Sequence, residues 1–278
     1  MNSRGTRKSL FVCPAGKIGK EFVQRTVARF GHDNFDILLL VYDGTPFDEA
    51  GFAGCTVIHD ELPLFWRLRR YVTPELSLDY EFIFIWMDDI DVLEFDPQSF
   101  LHVLRKYSIE VGHPALASDS VICHPVMERH PTDVGRYTDF AEPLAWTIRA
   151  DLWGRFWELI EPDRNPWGWG YDEVAYAVCR FRKTAIIDSE VVRHTRKGDY
   201  HASAKVDHDG TLARHVRFYR SRKKTLCTIS DHPWYKRVLT PLWLHLHFAW
   251  ARSFSLPGAL ALRRFIRAMW VRARRSIT

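Results

Sequence analysis

The chain has 278 residues, of which 46% are apolar and 14% aromatic, and it carries a net charge of +5 at pH 7. That supplies a sizeable core and excludes a disordered or fibrous polypeptide. The five cysteines (Cys13, Cys55, Cys123, Cys179 and Cys227) are odd in number, scattered and without C-x-x-C spacing, which argues against a disulfide framework or a cysteine zinc site and for a reducing, cytoplasmic setting.

The first half alternates strand-like apolar runs with helix-like segments, the rhythm of βαβ units. Residues 1–9 are polar and basic, and the apolar stretch after them is broken by Pro14, Gly16 and Lys17, so no cleavable signal is expected. Leu10 to Pro14 reads as a strand. Gly19 to Phe30 carries Phe22, Val23, Val27 and Phe30 at helical spacing, and Phe35 to Tyr42 reads as a buried strand ending in Asp43-Gly44. Thr56 to His59 is a short strand, Leu62 to Val72 a basic helix, Glu81 to Trp86 a fourth strand and Pro97 to Lys106 a helix. Ala117 to Asp139, rich in His, Pro and Asp without periodicity, reads as a long loop of the kind that often carries function. Phe140 to Ile148 is expected as a strand, Ala150 to Ile160 as an amphipathic helix, Val174 to Phe181 as a helix and Thr184 to Ser189 as the last clear strand. Asp199 to Lys224 reads as a connection, so residues 1–200 form the expected catalytic domain and 201–278 a connection and tail.

The tail holds the charge. After Asp231 no acid balances bases such as Arg263, Arg264, Arg267, Arg272, Arg274 and Arg275, which are interleaved with Trp243, Trp250, Phe265 and Trp270. No run is long enough to span a bilayer. The pattern fits either an amphipathic element on the anionic inner face of a membrane or a helical hairpin packed on the main domain. No nucleic-acid motif accompanies the bases, and no nucleic-acid partner is expected.

The most informative segment is the fourth strand, where a continuous apolar run ends in Asp88, Asp89 and Asp91. Such a run belongs to a strand covered on both faces, and ligands of open α/β sheets bind beyond the carboxyl ends of strands. Carboxylates crowded there repel unless a positive partner sits among them. Mg2+ or Mn2+, which takes oxygen ligands and is often shared with substrate phosphates, suits the position. A solvated acidic turn is the plain alternative.

Three further features join it. The turn from Trp167 to Glu173, W-G-W-G-Y-D-E, sets Asp172 and Glu173 at a helix start, either as bases toward a hydroxyl or as capping residues. His194 ends a strand-like run and suits a metal already held by carboxylates, although His113, His124, His130, His201 and His208 compete for that role. Arg67, Arg69 and Arg70 lie on the helix before the acidic strand, where one face meets a diphosphate or simply solvent.

The run over residues 80–96, Y-E-F-I-F-I-W-M-D-D-I-D-V-L-E-F-D, resembles the core of an uncharacterised family whose plant members carry a lysine-ketoglutarate reductase trans-splicing label. Val12 to Lys17, Tyr42-Asp43-Gly44, Gly112 to Leu116, Trp169 to Asp172 and Val191 to His194 look like further blocks of that family in the same order. The resemblance spans about Leu10 to Asp199. That family is similar to the GT-A glycosyltransferases, which implies a GT-A-like, mostly parallel α/β sheet flanked by helices and a donor that is a nucleotide-diphosphate sugar. By resemblance Asp89 and His194 are metal ligands, Asp172 the base with Glu173 beside it, and Pro14, Ala15, Gly16 and Asp43 nucleotide contacts. Met87 stands where the family has its first acid. Either Asp89 and Asp91 serve as a shifted pair assisted by Asp88, or the chain works without metal. The expected activity is metal-assisted sugar transfer to a hydroxyl on a glycan or lipid-linked acceptor. The rivals are a metal-dependent phosphohydrolase and a degenerate transferase scaffold that binds carbohydrate or a membrane surface.

Overall fold

The computed structural model describes residues 7–196, save 93, 164 and 169, together with 221 and 223–230. The basic tail, His201, His208, Trp169 and the expected boundary at residue 200 lie outside the described residues.

The strands are β1 (Ser9–Ala15), β2 (Phe35–Val41), β3 (Thr56–His59), β4 (Phe82–Trp86), β5 (Ile90–Asp91), β6 (Val111–Leu116), β7 (Gly135–Thr138), β8 (Ala145–Arg149), β9 (Thr184–His194) and β10 (Thr225–Ile229). The helices are α1 (Lys20–Phe30), α2 (Leu64–Tyr71), the single turn α3 (Pro74–Ser77), α4 (Pro97–Lys106), α5 (Ala150–Leu159) and α6 (Tyr171–Val178). The sheet runs β10-β7-β9-β6-β8-β4-β1-β2-β3, with β5 attached to β9 outside that path. Its first half is parallel: β1 pairs with β2 and β4, and β2 with β3. Its second half is mixed, since β8 lies antiparallel between β4 and β6, while β6 and β9 are parallel.

Every residue of β1 and β4 is buried, because helices cover both faces. Phe11, Cys13, Phe82, Phe84 and Trp86 pack on one face with Phe30 of α1 and Phe100 of α4. Leu10, Val12, Ile83 and Ile85 pack on the other with Phe65 of α2 and Trp153 and Phe156 of α5. The period of two divides one apolar run between two cores. Asp96 begins α4 by accepting a hydrogen bond from Gln98 N–H at 2.9 Å, with Pro97 in the first turn.

Several elements depart from the sequence reading. The long loop over 117–139 contains a 3-10 turn at Pro125–Met127 and the strand β7. The strand expected from Phe140 begins only at Ala145, and the helix expected from Val174 begins at Tyr171. β6 was hidden by Gly112 and Pro114, residues that read against a central strand. β9 does not stop at Ser189: its register with β6 shifts after Pro114 and the strand continues to His194. Asp188 can stay buried there because it lies 3.5 Å from buried Arg136 and accepts hydrogen bonds from His130 N–H at 2.9 Å and Thr132 Oγ1 at 2.6 Å. Among the described residues the last strand is β10, antiparallel to β7.

Candidate active site

Parallel β1, β2 and β4 bring their carboxyl ends to one edge of the sheet, the place where such sheets form a ligand crevice, and hydrogen bonds link the loops that leave them. Lys17 N–H donates to Asp43 Oδ2 at 2.7 Å and Thr45 N–H to Asp43 Oδ1 at 3.1 Å. Desolvation opposes these bonds but they prevail, so the Asp43 carboxyl sits below its ordinary range. Tyr42 donates its hydroxyl to Asp88 Oδ2 at 2.7 Å, joining the end of β2 to the acids after β4. Gly19 is required at this junction, since a Cβ there would fall 2.4 Å from the carbonyl oxygen of Asp88. Pro14, Ala15 and Gly16 therefore border the crevice, Gly16 through a backbone hydrogen bond to Asp88.

The three bases of α2 separate. Arg67 is buried beneath the crevice, donating to the Leu40 carbonyl at 2.5 Å with its guanidinium 5.6 Å from the Tyr42 ring. Arg70 is exposed and faces Asp60 at 3.6 Å. Arg69 lies over the Trp157 ring at 3.4 Å.

The acids also separate. Asp88 and Asp89 face the crevice, and Arg196 Nη2 lies 3.0 Å from Asp88 Oδ1 while its Nε lies 3.9 Å from Asp89 Oδ2. Burial, and next the Tyr42 bond against it, leave the Asp88 carboxyl above its ordinary value, with Asp89 adding to the rise. His194 places Nε2 3.4 Å from Asp89 Oδ2 and Nδ1 2.8 Å from the Val121 carbonyl. The β5 and β9 ribbon pairs Ile90 with His194 and Asp91 with Arg193, so Asp91 points to the opposite side, 3.5 Å from Arg193.

A second group of acids lies at the start of α6. Gly170, at φ 81°, precedes it, and no side chain caps it. Asp172 Oδ1 instead accepts from Glu173 N–H within the first turn at 2.9 Å. Asp172 Oδ2 lies 3.9 Å from His124 Nε2, and Lys223 Nζ reaches Glu173 at 2.9 Å and His124 Nδ1 at 3.4 Å. Burial, then the charge of Glu173, pushes the Asp172 carboxyl up to about 6. Trp167 is exposed beside this turn, and Gly168 packs against Phe65.

Three members were missed in the sequence. Arg196 follows His194 at strand spacing, a period-two signal that was available. Lys223 arrives with β10, far along the chain, without a local signal. Glu142 precedes β8, and burial, then Asp172, lifts its carboxyl to about 7.

Among the described residues no three His, Cys, Asp or Glu side chains form a ready metal cluster. A pair does fit a hard divalent ion that takes its remaining ligands from phosphate and water: Asp89 Oδ1 is buried without a hydrogen-bond partner, and His194 presents Nε2 to Asp89. Among the described residues no helix is long and apolar enough to cross a membrane.

The helix-flanked mixed sheet, with a crevice at the carboxyl ends of β1, β2 and β4, is a GT-A glycosyltransferase fold. It is similar to a crystal structure of GalNAc-T7 with UDP, GalNAc and Mn2+, with TM-score 0.52 and 13% identity over 76% of this chain and 48% of that one. The chain thus spans about half the length of that protein. A protein from Desulfovibrio desulfuricans G20 provisionally described as a nucleotide-diphospho-sugar transferase matches with TM-score 0.40 and 8% identity over 76% of this chain and 95% of that one. A model of the family described as "Protein of unknown function (DUF707)" matches residues 1–139, half of the 278, and the chain belongs to that family. No curated protein matches it.

Proposed function

We propose that the chain transfers a sugar from a nucleoside-diphosphate sugar to a hydroxyl of a glycan or lipid-linked acceptor. What supports this reading is that Asp89 groups with His194 and Arg196 on a GT-A fold, while Glu142 feels the charges of Asp89 and His194 and also that of Asp172. The bond from the anomeric carbon to the β-phosphate oxygen breaks, and a bond from that carbon to the acceptor oxygen forms. Asp172, at the crevice end of α6, takes the acceptor proton, with His124 beside its Oδ2. Arg196 is positioned to balance the charge that gathers on the leaving diphosphate. Asp89 and His194 would hold Mn2+ or Mg2+, which when bound adds positive charge at the same oxygens. Asp43 and the Gly16 region border the nucleotide, with Arg67 supporting Tyr42 from below.

One observation favours a metal-independent variant of this reading: Arg196 already stands between Asp88 and Asp89. Thermal stabilisation by a panel of nucleoside diphosphates and their sugars, with Mn2+ and with chelator, separates the two, because a ligand of the native state raises its midpoint. A shift that needs Mn2+ supports the metal-assisted enzyme, and one that survives chelator supports the arginine version. No shift with any sugar nucleotide rejects both and favours a carbohydrate or membrane binder. The basic segment after Asp231 we assign to an anionic membrane surface, and replacing its arginines with glutamine should release the protein from anionic vesicles.

A further inference from the structure

Glu142 has no chemical role in the reading above. It lies in the stretch that leads from β7 into β8. Because β8 runs antiparallel to β4, the chain enters β8 beside the carboxyl end of β4, where Met87 N–H donates to the Leu144 carbonyl at 3.0 Å. Glu142, two residues upstream, is thereby carried to the acids that follow β4. Its carboxyl feels the charges of Asp172 and Lys223 and also those of His194 and Asp89. Its Oε2 is buried without a hydrogen-bond partner among the described residues. A buried acid oxygen in that condition is unfavourable, and it persists where a ligand supplies the missing donor.

We propose that Glu142 reads a hydroxyl of the transferred sugar ring and so sets which donor is accepted. The inference rests on the nucleotide-sugar reading. With the diphosphate at Asp89, His194 and Arg196 and the acceptor oxygen at Asp172, the sugar spans the interval that Glu142 occupies. A ring hydroxyl donates to Oε2, whereas a deoxy sugar leaves that oxygen bare. Sites built to pair a substrate hydroxyl reject analogues that lack it far more strongly than apolar pockets reject a missing methylene. The ligand class is therefore a donor whose sugar keeps a free hydroxyl facing Glu142.

The test compares the full chain with Glu142→Ala and Glu142→Gln by titration calorimetry, using UDP, GDP and dTDP, their common sugars and the matching deoxy sugars. For wild type we expect one sugar nucleotide to bind about 10-fold or more tighter than its parent diphosphate and its deoxy analogue. Glu142→Ala should bring the three to within about 3-fold of one another while the parent diphosphate binds as before. Glu142→Gln keeps an acceptor oxygen, should retain part of the preference, and serves as the reading if the alanine variant does not fold. A variant that keeps the full wild-type preference overturns the assignment. So does one that weakens the parent diphosphate as much as the sugar nucleotide. Wild type that binds no nucleoside diphosphate removes the underlying function and this inference with it, a result distinct from a retained preference.

Discussion

His194 Nε2 lies 3.4 Å from Asp89 Oδ2 while its Nδ1 lies 2.8 Å from the Val121 carbonyl. A backbone carbonyl accepts only, so it fixes the proton on Nδ1 of the neutral ring and turns the Nε2 lone pair toward a carboxylate. Two lone-pair carriers at that spacing repel unless a proton or a cation lies between them. In the metal-free protein a proton on Nε2 fills the role: burial works against it, but the Asp89 bond and charge prevail and leave the His194 pKa raised.

The first prediction follows. Asp89→Ala and His194→Ala should each weaken Mn2+-dependent nucleotide binding by about 10- to 100-fold while leaving binding in chelator nearly unchanged. Asp91→Ala should affect it far less, since that carboxylate pairs with Arg193 on the other side of the ribbon. Calorimetry with and without Mn2+ decides, and an Asp91 variant as damaged as Asp89→Ala would restore the shifted acid pair.

A second prediction concerns pH. Burial holds the Asp172 carboxyl up at about 6, above the value of about 3.9 for an unfolded aspartate. The native state then binds this proton more tightly than the unfolded state. Its stabilising contribution is complete below about pH 4 and is lost as pH rises through about 6. At pH 8 the ionised carboxylate therefore costs on the order of 1–3 kcal/mol. Asp172→Asn should raise the unfolding midpoint at pH 8, change little at pH 4, and abolish transfer. Equal effects at both pH values would show that Asp172 does not titrate in this window.

What could be read in advance was what short-range pattern encodes. Continuous runs such as Phe82 to Trp86 announce a strand covered on both faces, and Asp88 and Asp89 mark where that run ends. The clear strand expected from Thr184 ends at Ser189, before Glu190, whereas β9 continues through Glu190 to His194. The partner that lets Asp188 stay buried, Arg136, comes from β7, a strand itself read as loop. Glu142 and Lys223 reach the site through antiparallel pairing and a late strand, relationships that no local periodicity carries. Arg196 was the exception, visible as the strand-spaced companion of His194.

A third prediction tests the Arg136–Asp188 pair directly. Both side chains have no exposure, they lie 3.5 Å apart, and Arg136 Nη2 also donates to the carbonyls of Val126 at 2.8 Å and Glu128 at 2.6 Å. Removing one member strands a buried charge, so Asp188→Ala should destabilise the fold by about 3–5 kcal/mol. Replacing both with methionine and leucine should cost clearly less than the sum of the single changes. Urea unfolding of the two single variants and the double variant provides the comparison, and additive losses would show that the two residues do not act as a pair.

The last prediction bears on the turn that presents Asp172. Gly168 adopts φ 80°, and a Cβ there would fall 1.9 Å from Phe65 Cε2. Phe65 cannot retreat easily, because its ring already packs against Tyr171 at 4.9 Å and Phe156 at 6.4 Å. Gly31 supplies a control without the clash: at φ 64° and ψ −177° it lies in a region essentially reserved for glycine, but nothing lies within 4 Å of its Cβ position. Gly31→Ala should therefore cost only backbone strain, about 1–3 kcal/mol, with transfer intact. Gly168→Ala adds a clash that pushes the turn off Phe65 and shifts Tyr171 and Asp172 with it. It should cost roughly 1–3 kcal/mol more and lower kcat at least about 100-fold, since a displacement of about 1 Å at a reacting group is enough. Equal stability losses with unchanged kcat in both variants would mean that the packing of Gly168 on Phe65 does not position Asp172.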